Sequence, residues 1–117
     1  HALIDAILGA AGQGDIGALF PSGAGEWEGA SSLDLLARAY SQVREAGFEL
    51  ANADCVLVGE EPRIAPLRGA MQARLAEAMG IEPGLVTVRA TTTDGLGFTG
   101  RGQRLAAVAV ALLSPAG

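Results

Sequence analysis

Apolar residues recur at helical spacing in three stretches of the chain, and each stretch has a recognisable boundary. The opening eleven residues form the first stretch. Ser31 or Ser32 can cap the second helix, because a side-chain oxygen there accepts a hydrogen bond from an unpaired backbone N–H, and Gly47 follows its end. The third helix runs from Leu67 to Gly80. The pattern therefore predicts three main helices.

Other stretches have the character of strands or loops. Residues 48–59 and 86–92 contain β-branched runs that are typical of strands, whereas residues 104–113 are almost uniformly apolar and fit a strand or a buried helix equally well. Residues 12–29 are rich in Gly, Ser and Pro and predict a long loop with a short helical turn. This alternation indicates an α/β or α+β layer fold with one sheet, in a single domain over residues 1–117.

Charge and composition exclude several classes of function. Eight basic residues against 13 acidic ones give a net charge of −5, and the basic residues are scattered, so neither nucleic acid nor an anionic membrane is expected as a partner. All eight are arginine, and without lysine the chain cannot form the phosphate loop of Walker-type nucleotide hydrolases. The longest apolar run, residues 105–113, is too short to span a bilayer, which takes about 20 residues.

The single cysteine, Cys55, lies in an apolar run and is interpreted as a small buried side chain of a strand. A nucleophilic cysteine needs a histidine partner, and the chain has only one histidine. One cysteine cannot form a disulfide within the chain, which suits a reducing compartment. No secretory signal is visible in the opening residues, so we expect a cytoplasmic protein.

A glycine-rich segment near the carboxyl end matches the dinucleotide-binding fingerprint by spacing alone, at Gly95, Gly97 and Gly100. That fingerprint also requires a later acidic residue that holds the ribose. The chain contains no Asp or Glu after Asp94, so a dinucleotide-binding fold is excluded.

The residues just before these glycines are better suited to phosphate chemistry. Thr91, Thr92 and Thr93 place hydroxyls and backbone amides at the end of a strand, and the glycines after them let the main chain expose its N–H groups. Asp94 can share a divalent cation with phosphate oxygens. A plain strand end that leads into a glycine loop is the alternative interpretation of the same residues.

Three sequence blocks resemble those of the 2-C-methyl-D-erythritol 2,4-cyclodiphosphate synthase family, in the family's order and spacing. The first block is His-Ala-Leu-Ile-Asp-Ala-Ile-Leu-Gly-Ala-Ala from His1, followed by Gly-Asp-Ile-Gly-Ala-Leu-Phe-Pro at residues 14–21. The second is Glu-Pro-Arg-Ile from Glu61, and the third is Ala-Thr-Thr-Thr-Asp-Gly-Leu-Gly-Phe-Thr-Gly-Arg-Gly from Ala90. The resemblance covers essentially the whole chain.

The resemblance implies an α+β (α/β two-layer) fold with a mixed β-sheet of about four strands, helices on one face, and assembly as a homotrimer with active sites between neighbouring subunits. It also implies a lyase reaction on a nucleotide-linked diphosphate. The 2-phosphate of 4-diphosphocytidyl-2-C-methyl-D-erythritol 2-phosphate attacks the β-phosphorus, which forms the 2,4-cyclodiphosphate and releases CMP in isoprenoid biosynthesis. Because two anionic phosphates must approach each other, cations and oriented N–H groups have to offset their charge.

The matched positions divide among the parts of this substrate, and Thr92, Thr93 and Asp94 are the predicted catalytic residues. The positions that match substrate-binding segments are Asp15, Gly17 and Phe20 for the methylerythritol part, Arg63, Ile64, Ala90, Thr91, Thr92 and Thr93 for the cytidine diphosphate, and Phe98 and Arg101 for a cavity on the three-fold axis that can hold an isoprenoid diphosphate. For Arg101, a role in subunit packing is an equal alternative.

Two divalent metals are also implied by the resemblance. His1 matches the helix-borne histidine of the family's zinc site, and Asp94 matches the acidic position that helps hold magnesium or manganese between the diphosphate groups. Asp5, one helical turn from His1, would lie beside the metal region as a supporting carboxylate. Without the resemblance, a histidine in this position is more often an ordinary helix-end residue.

Two departures from the family pattern bear on activity. The Asp-x-His pair of the zinc site is not among these 117 residues, and one imidazole cannot make a three-ligand site, so we expect this chain alone to be inactive. Ser22 stands where the family has an acidic residue that accepts hydrogen bonds from substrate hydroxyls. The alternative hypothesis is a non-catalytic trimeric module that binds an isoprenoid diphosphate or a nucleotide.

Overall fold

In a computed structural model of the chain, residues 1–20, 31–59, 65–91 and 106–116 are described. The helices in these ranges are α1 (Ala2–Ala10), α2 (Ile16–Leu19), α3 (Ser32–Glu45) and α4 (Arg68–Met79), and the strands are β1 (Phe48–Val58), β2 (Val86–Thr91) and β3 (Ala106–Pro115). Short 3-10 turns, Ala65–Leu67 and Pro83–Leu85, precede α4 and β2. None of the helices in the described ranges has both the length and the apolar character needed to cross a membrane.

The ends of the helices follow the signals in the sequence. Ser31, rather than Ser32, caps α3, because its Oγ accepts a hydrogen bond from the backbone N–H of Asp34 at 3.1 Å. Gly80 ends α4 in the left-handed conformation, with a φ of 68° that residues with a side chain adopt less readily. The three predicted main helices are therefore confirmed, and α2 is the short helical turn expected in the long loop.

β1 is the central strand of a mixed sheet with the order β2-β1-β3. It pairs in parallel with β2, from Ala53 opposite Val86 to Val58 opposite Thr91, and it pairs antiparallel with β3. The apolar run near the carboxyl end is therefore a strand and not a helix. The described residues form three strands, fewer than the predicted count of about four.

The helices pack on one face of this sheet, as predicted. α1 packs on β3, α4 packs on β2, and α3 lies between these two helices and against β1. The side chains between the layers form one apolar core, whose largest fully buried members are Ile4, Ile7, Leu8, Leu36, Val43, Val86 and Val88. The buried hydroxyl of Tyr40 accepts a hydrogen bond from the backbone N–H of Leu50 at 3.0 Å. This bond offsets the cost of burying a polar group in the core.

The opposite face of the sheet exposes apolar side chains on β3. Val108, Val110 and Leu112 are 58%, 68% and 60% exposed, and they alternate with residues that face the helices. An ion pair lies on the same face, where the guanidinium of Arg89 donates Nε to Oδ1 of Asp54 at 3.0 Å and Nη2 to Oδ2 at 2.7 Å. Both charged side chains are well exposed, so the pair adds little to stability.

We expect Leu8→Ala to lower the free energy of unfolding by about 2–5 kcal/mol, because Leu8 is fully buried and its truncation leaves a cavity in the core. The same substitution at Leu67, which is 53% exposed, is the matched control and should cost less than about 1 kcal/mol. Urea denaturation followed by circular dichroism measures both values. Equal losses for the two variants would contradict the position of Leu8 in the core.

Candidate functional site

The imidazole of His1 lies at the start of α1, where the residue occupies the N-cap position without a side-chain hydrogen bond to the helix. Its Nε2 is 3.2 Å from Oγ of Ser32, the first residue of α3. This contact joins the amino ends of two helices whose residues are 31 positions apart in the sequence. The hydrogen bond uses Nε2 of the imidazole, so the other ring nitrogen, Nδ1, faces away from Ser32.

A carboxylate one turn further along α1 holds the loop that follows this helix. Oδ1 of Asp5 accepts a hydrogen bond from the backbone N–H of Ile16 at 2.7 Å. Oδ1 of Asp15 accepts a hydrogen bond from the N–H of Ala18 at 2.8 Å, which makes Asp15 the N-cap of α2. The predicted substrate loop is therefore attached to the helix that begins at His1.

The other residues of this predicted loop lie on or next to α2. Gly17 is exposed within the short helix, and Phe20 follows its last residue and is half-buried. Nε2 of Gln42 on α3 donates a hydrogen bond to Oε1 of Gln13 at 3.2 Å, which ties the loop to a second helix. A cavity of about 190 Å³ lies between the loop and α3, and its lining residues are Leu19, Phe20, Arg38, Ser41, Gln42 and Glu45.

Two of the predicted cytidine-binding residues lie within the described ranges, at the other edge of the sheet. Ala90 and Thr91 are the last residues of β2, and both are exposed. The N–H of Gly59 donates a hydrogen bond to the carbonyl oxygen of Thr91 at 3.0 Å, so the ends of β1 and β2 are tied together. Because β2 and β3 flank β1 and α1 packs on β3, this strand end and the start of α1 belong to opposite edges of the sheet within one chain.

Within the described ranges, no group of three or more His, Cys, Asp or Glu side chains is placed to hold a metal ion. These residues offer the single imidazole of His1 and do not by themselves make up a three-ligand zinc site. Seven predicted site residues lie outside the described ranges: Arg63, Ile64, Thr92, Thr93, Asp94, Phe98 and Arg101. Ser22 also lies outside them.

Cys55 is half-buried on β1 and packs against the core, in agreement with its interpretation as an apolar side chain. Burial raises the pKa of the Cys55 thiol, and the neighbouring Asp54 carboxylate raises it further. A thiol with a raised pKa stays protonated at neutral pH and is a poor nucleophile. Cys55 therefore contributes to packing and not to the chemistry of the site.

Two contacts of this site could not be predicted from the sequence. The pattern offers Ser32 only as a helix cap, yet its hydroxyl contacts His1. The bond between Ile16 and Asp5 joins a loop amide to a helix carboxylate 11 positions away. Periodicity shows which face of a helix is apolar, but it does not show which groups distant in the sequence come into contact. The sequence signal for the contact with His1 was the presence of a second serine, Ser32, next to the cap Ser31.

A family model that matches nearly the whole chain identifies the family to which the chain belongs. The model is described as the YgbB family, and it matches residues 1–114. The chain belongs to the YgbB family. The 2-C-methyl-D-erythritol 2,4-cyclodiphosphate synthase of Moorella thermoacetica is 51% identical to it over 113 residues, which are 97% of this chain and 69% of that protein. The family predicted from the three sequence blocks is therefore confirmed.

Two solved structures share the fold of this YgbB-family chain. The bifunctional IspDF of Campylobacter jejuni aligns with a TM-score of 0.93 at 42% identity, over 98% of this chain and 31% of that one. A CDP-bound form of 2C-methyl-D-erythritol-2,4-cyclodiphosphate synthase aligns with a TM-score of 0.86 at 35% identity, over 97% of this chain and 73% of that one. The chain thus spans 29–31% of the length of the bifunctional relatives and 68–73% of the length of the other synthases.

We expect Cys55 to react with a thiol-specific disulfide reagent at least about tenfold more slowly in the folded protein than in urea, because burial limits access and the raised pKa lowers the thiolate fraction. The folded-state pKa lies above the unfolded one, so the stability linked to this thiol is present below the unfolded pKa. It is lost as pH rises through the folded pKa, in the range where labelling accelerates. Absorbance of the released thiolate measures the rates, and equal rates in both states would contradict the burial of Cys55.

Proposed function

We propose that this chain is the catalytic part of a 2-C-methyl-D-erythritol 2,4-cyclodiphosphate synthase, a phosphorus–oxygen lyase of isoprenoid biosynthesis. An oxygen of the substrate's 2-phosphate forms a bond to the β-phosphorus of its cytidine diphosphate group. The bond from that phosphorus to the bridging oxygen breaks, and CMP leaves with the electron pair. No second reactant is consumed, so the protein has to position the two phosphates and offset their charge.

The observation that carries this proposal is the 51% identity to a named synthase along 97% of the chain. The geometry around α1 supports it. Asp5 attaches the loop that carries Asp15 to the helix that begins at His1. A substrate with a hydroxylated carbon skeleton and a phosphate can therefore be held between the loop and the imidazole.

We assign the methylerythritol part of the substrate to Asp15, Gly17 and Phe20. One carboxylate oxygen of Asp15 caps α2, and the second can accept a hydrogen bond from a substrate hydroxyl. Gly17 is exposed and has no side chain, so a ligand can approach the backbone closely. The half-buried ring of Phe20 offers an apolar surface to the carbon skeleton.

We assign the cytidine diphosphate to the exposed end of β2 and the residues after it. The proposed contacts are Ala90, Thr91, Thr92 and Thr93 with Arg63 and Ile64, and the proposed catalytic residues are Thr92, Thr93 and Asp94. The relative at 35% identity that binds CDP supports a cytidine-binding role for this fold. Because the end of β2 and the start of α1 lie at opposite edges of one sheet, we propose that neighbouring subunits complete each site.

Two divalent metals belong to this proposal, zinc at His1 and magnesium or manganese near Asp94. The exposed imidazole of His1 is oriented by Ser32, which is the kind of support that metal-binding histidines receive. When bound, such ions act as Lewis acids on phosphate oxygens. The described residues supply one imidazole, so we propose that these 117 residues need further ligands before they are active.

A non-catalytic trimeric module is not favoured as the function, because relatives along nearly the whole chain are named synthases. Binding of an isoprenoid diphosphate by Phe98 and Arg101 is a proposal that rests on the sequence, since both residues lie outside the described ranges. A cytoplasmic location is likewise proposed, because the substrate is a soluble nucleotide derivative and the one cysteine cannot form a disulfide within the chain.

We further propose that the protein is a homotrimer that buries the exposed face of β3. Val108, Val110 and Leu112 present a row of apolar side chains there, each more than half exposed in the single chain. Large apolar patches on a protein surface are typical of contact sites, because burying them removes apolar area from water. A symmetric contact through this face also gives each site access to a second subunit.

The full-length protein is expected to release one CMP for each cyclic diphosphate formed, in the presence of zinc and magnesium. Asp15→Ala should lower kcat/KM by about 10–100-fold, because a charge-assisted hydrogen bond to the substrate and the cap of α2 are both lost. Asp34→Ala, which removes an exposed carboxylate from the first turn of α3, is the control and should change kcat/KM little. Chromatography of CMP measures the rates, and a folded, metal-loaded protein that releases none would refute the proposed reaction.

Val110→Asp is expected to convert the trimer into monomers, because the substitution places a charge in the proposed contact. Leu67→Asp introduces the same charge at an exposed residue before α4, away from β3, and should leave the assembly unchanged. Light scattering coupled to size-exclusion chromatography measures the mass. A wild-type protein that is monomeric, or a Val110→Asp variant that stays trimeric, would contradict the proposal.

A further inference from the structure

The short helix α2 has little of its own to hold it in place. It consists of four residues, and none of them is fully buried. A helix of this length does not persist through its internal hydrogen bonds, because the cost of ordering the first turn is not repaid by further turns. Its position must therefore come from contacts with other parts of the chain.

The carboxylates of Asp15 and Asp5 accept hydrogen bonds from N–H groups at the start of α2, and the two bonds have different structural effects. Asp15 is the local N-cap and binds the N–H of Ala18, so it shapes the helix but moves with it. Asp5, which lies on α1, accepts a hydrogen bond from the N–H of Ile16 at 2.7 Å. Of the two, only the second bond sets where the loop lies relative to α1. Other contacts also hold the loop: Ile16 and Leu19 pack against the apolar core, and the neutral side chains of Gln42 and Gln13 form a longer hydrogen bond to α3.

Asp5 is not part of the apolar core that holds α1 on the sheet. Its side chain is exposed, whereas Ile4, Ile7 and Leu8 of the same helix are buried. Removal of its carboxylate therefore opens no cavity. Its backbone N–H donates to the carbonyl oxygen of His1 at 3.0 Å, so the helical geometry fixes the offset between Asp5 and the imidazole-bearing residue.

We propose that Asp5 is a positioning residue for substrate binding: through the N–H of Ile16 it holds the loop that carries Asp15 at a set place relative to His1. Asp5 acts through the loop and does not touch the reacting phosphates. Its effect on substrate rests on the proposed synthase function, whereas its effect on the loop does not. The acceptor oxygen of Asp5 makes the bond and its charge strengthens it, so a neutral amide oxygen at the same place should preserve most of the attachment.

In the full-length enzyme, Asp5→Ala should raise KM for the cytidine diphosphate substrate by about tenfold and leave kcat within about twofold, because a loosened loop weakens binding in the ground and transition states alike. Asp5→Asn keeps an acceptor oxygen at the same place and should recover most of the loss. Asp34→Ala is the matched control, since it removes an exposed carboxylate from the first turn of another helix.

Ile16→Pro tests the same bond from its other side. It removes the N–H that Asp5 binds, and proline is well tolerated at the first position of a helix. Asp15, which precedes it, has the extended conformation that a residue before proline adopts, with φ −137° and ψ 178°. Asp5→Ala added to Ile16→Pro should cause no further rise in KM. If Asp5→Ala fails to fold, Ile16→Pro alone carries the test, because it removes the same bond and should raise KM by a similar factor while Asp5 is unchanged.

Amide hydrogen exchange of residues 15–20 reads the position of the loop without any substrate. Asp5→Ala should speed exchange there by about tenfold or more while the core of α1 stays protected, and Asp5→Asn should not. If the wild-type enzyme releases no CMP, the proposed reaction fails but the exchange result still decides the role of Asp5. Unchanged exchange and KM in Asp5→Ala, an Asn variant as defective as the Ala variant, or additive effects with Ile16→Pro would each overturn the inference.

Discussion

The helical period of α1 is the constraint on which the arrangement of the site depends. Burial of Ile4, Ile7 and Leu8 against the sheet and α3 fixes the rotation of the helix about its axis. Once that rotation is set, His1 and Asp5 are exposed, and each meets a different neighbour: Ser32 at the start of α3 and Ile16 in the following loop. The apolar core therefore determines the polar geometry above it, although no core residue takes part in the proposed reaction.

Much of the fold could be predicted because its signals are local. The serine that caps α3 and the glycine that ends α4 act on backbone groups within a few positions, so the sequence around them is sufficient. β3 could not be assigned, because strands are recognised by alternation and this strand is apolar on both faces. Its inner residues pack under α1, while Val110 and its neighbours on the outer face are apolar and exposed.

In the candidate site, too, some features could be predicted from local sequence and others depend on the tertiary structure. The loop residues Asp15, Gly17 and Phe20 could be named from the family blocks, and the structure groups them on or beside α2. The hydrogen bond from Ile16 to Asp5, which attaches these residues to α1, could not be predicted from the sequence. It depends on the path of the chain between α1 and α2. The strand that ends at Thr91 could be predicted, and its phosphate-binding role stays a prediction. Its place at the other edge of the sheet from α1 depends on strand order, which local patterns do not encode.

The irregular pairing between Leu50 and Asn52 on β1 has a consequence for how this chain tolerates length changes. Before the irregularity, even-numbered residues such as Leu50 face the helices; after it, odd-numbered residues such as Ala53 do. Losing the one intervening residue, Ala51, would leave Leu50, Asn52 and Ala53 in regular alternation, so the carboxylate of Asp54 would still face away from the helices. Losing Ala53 instead would turn Asp54 toward the apolar layer, so a change of length in β1 should be tolerated at the irregularity and not beyond it.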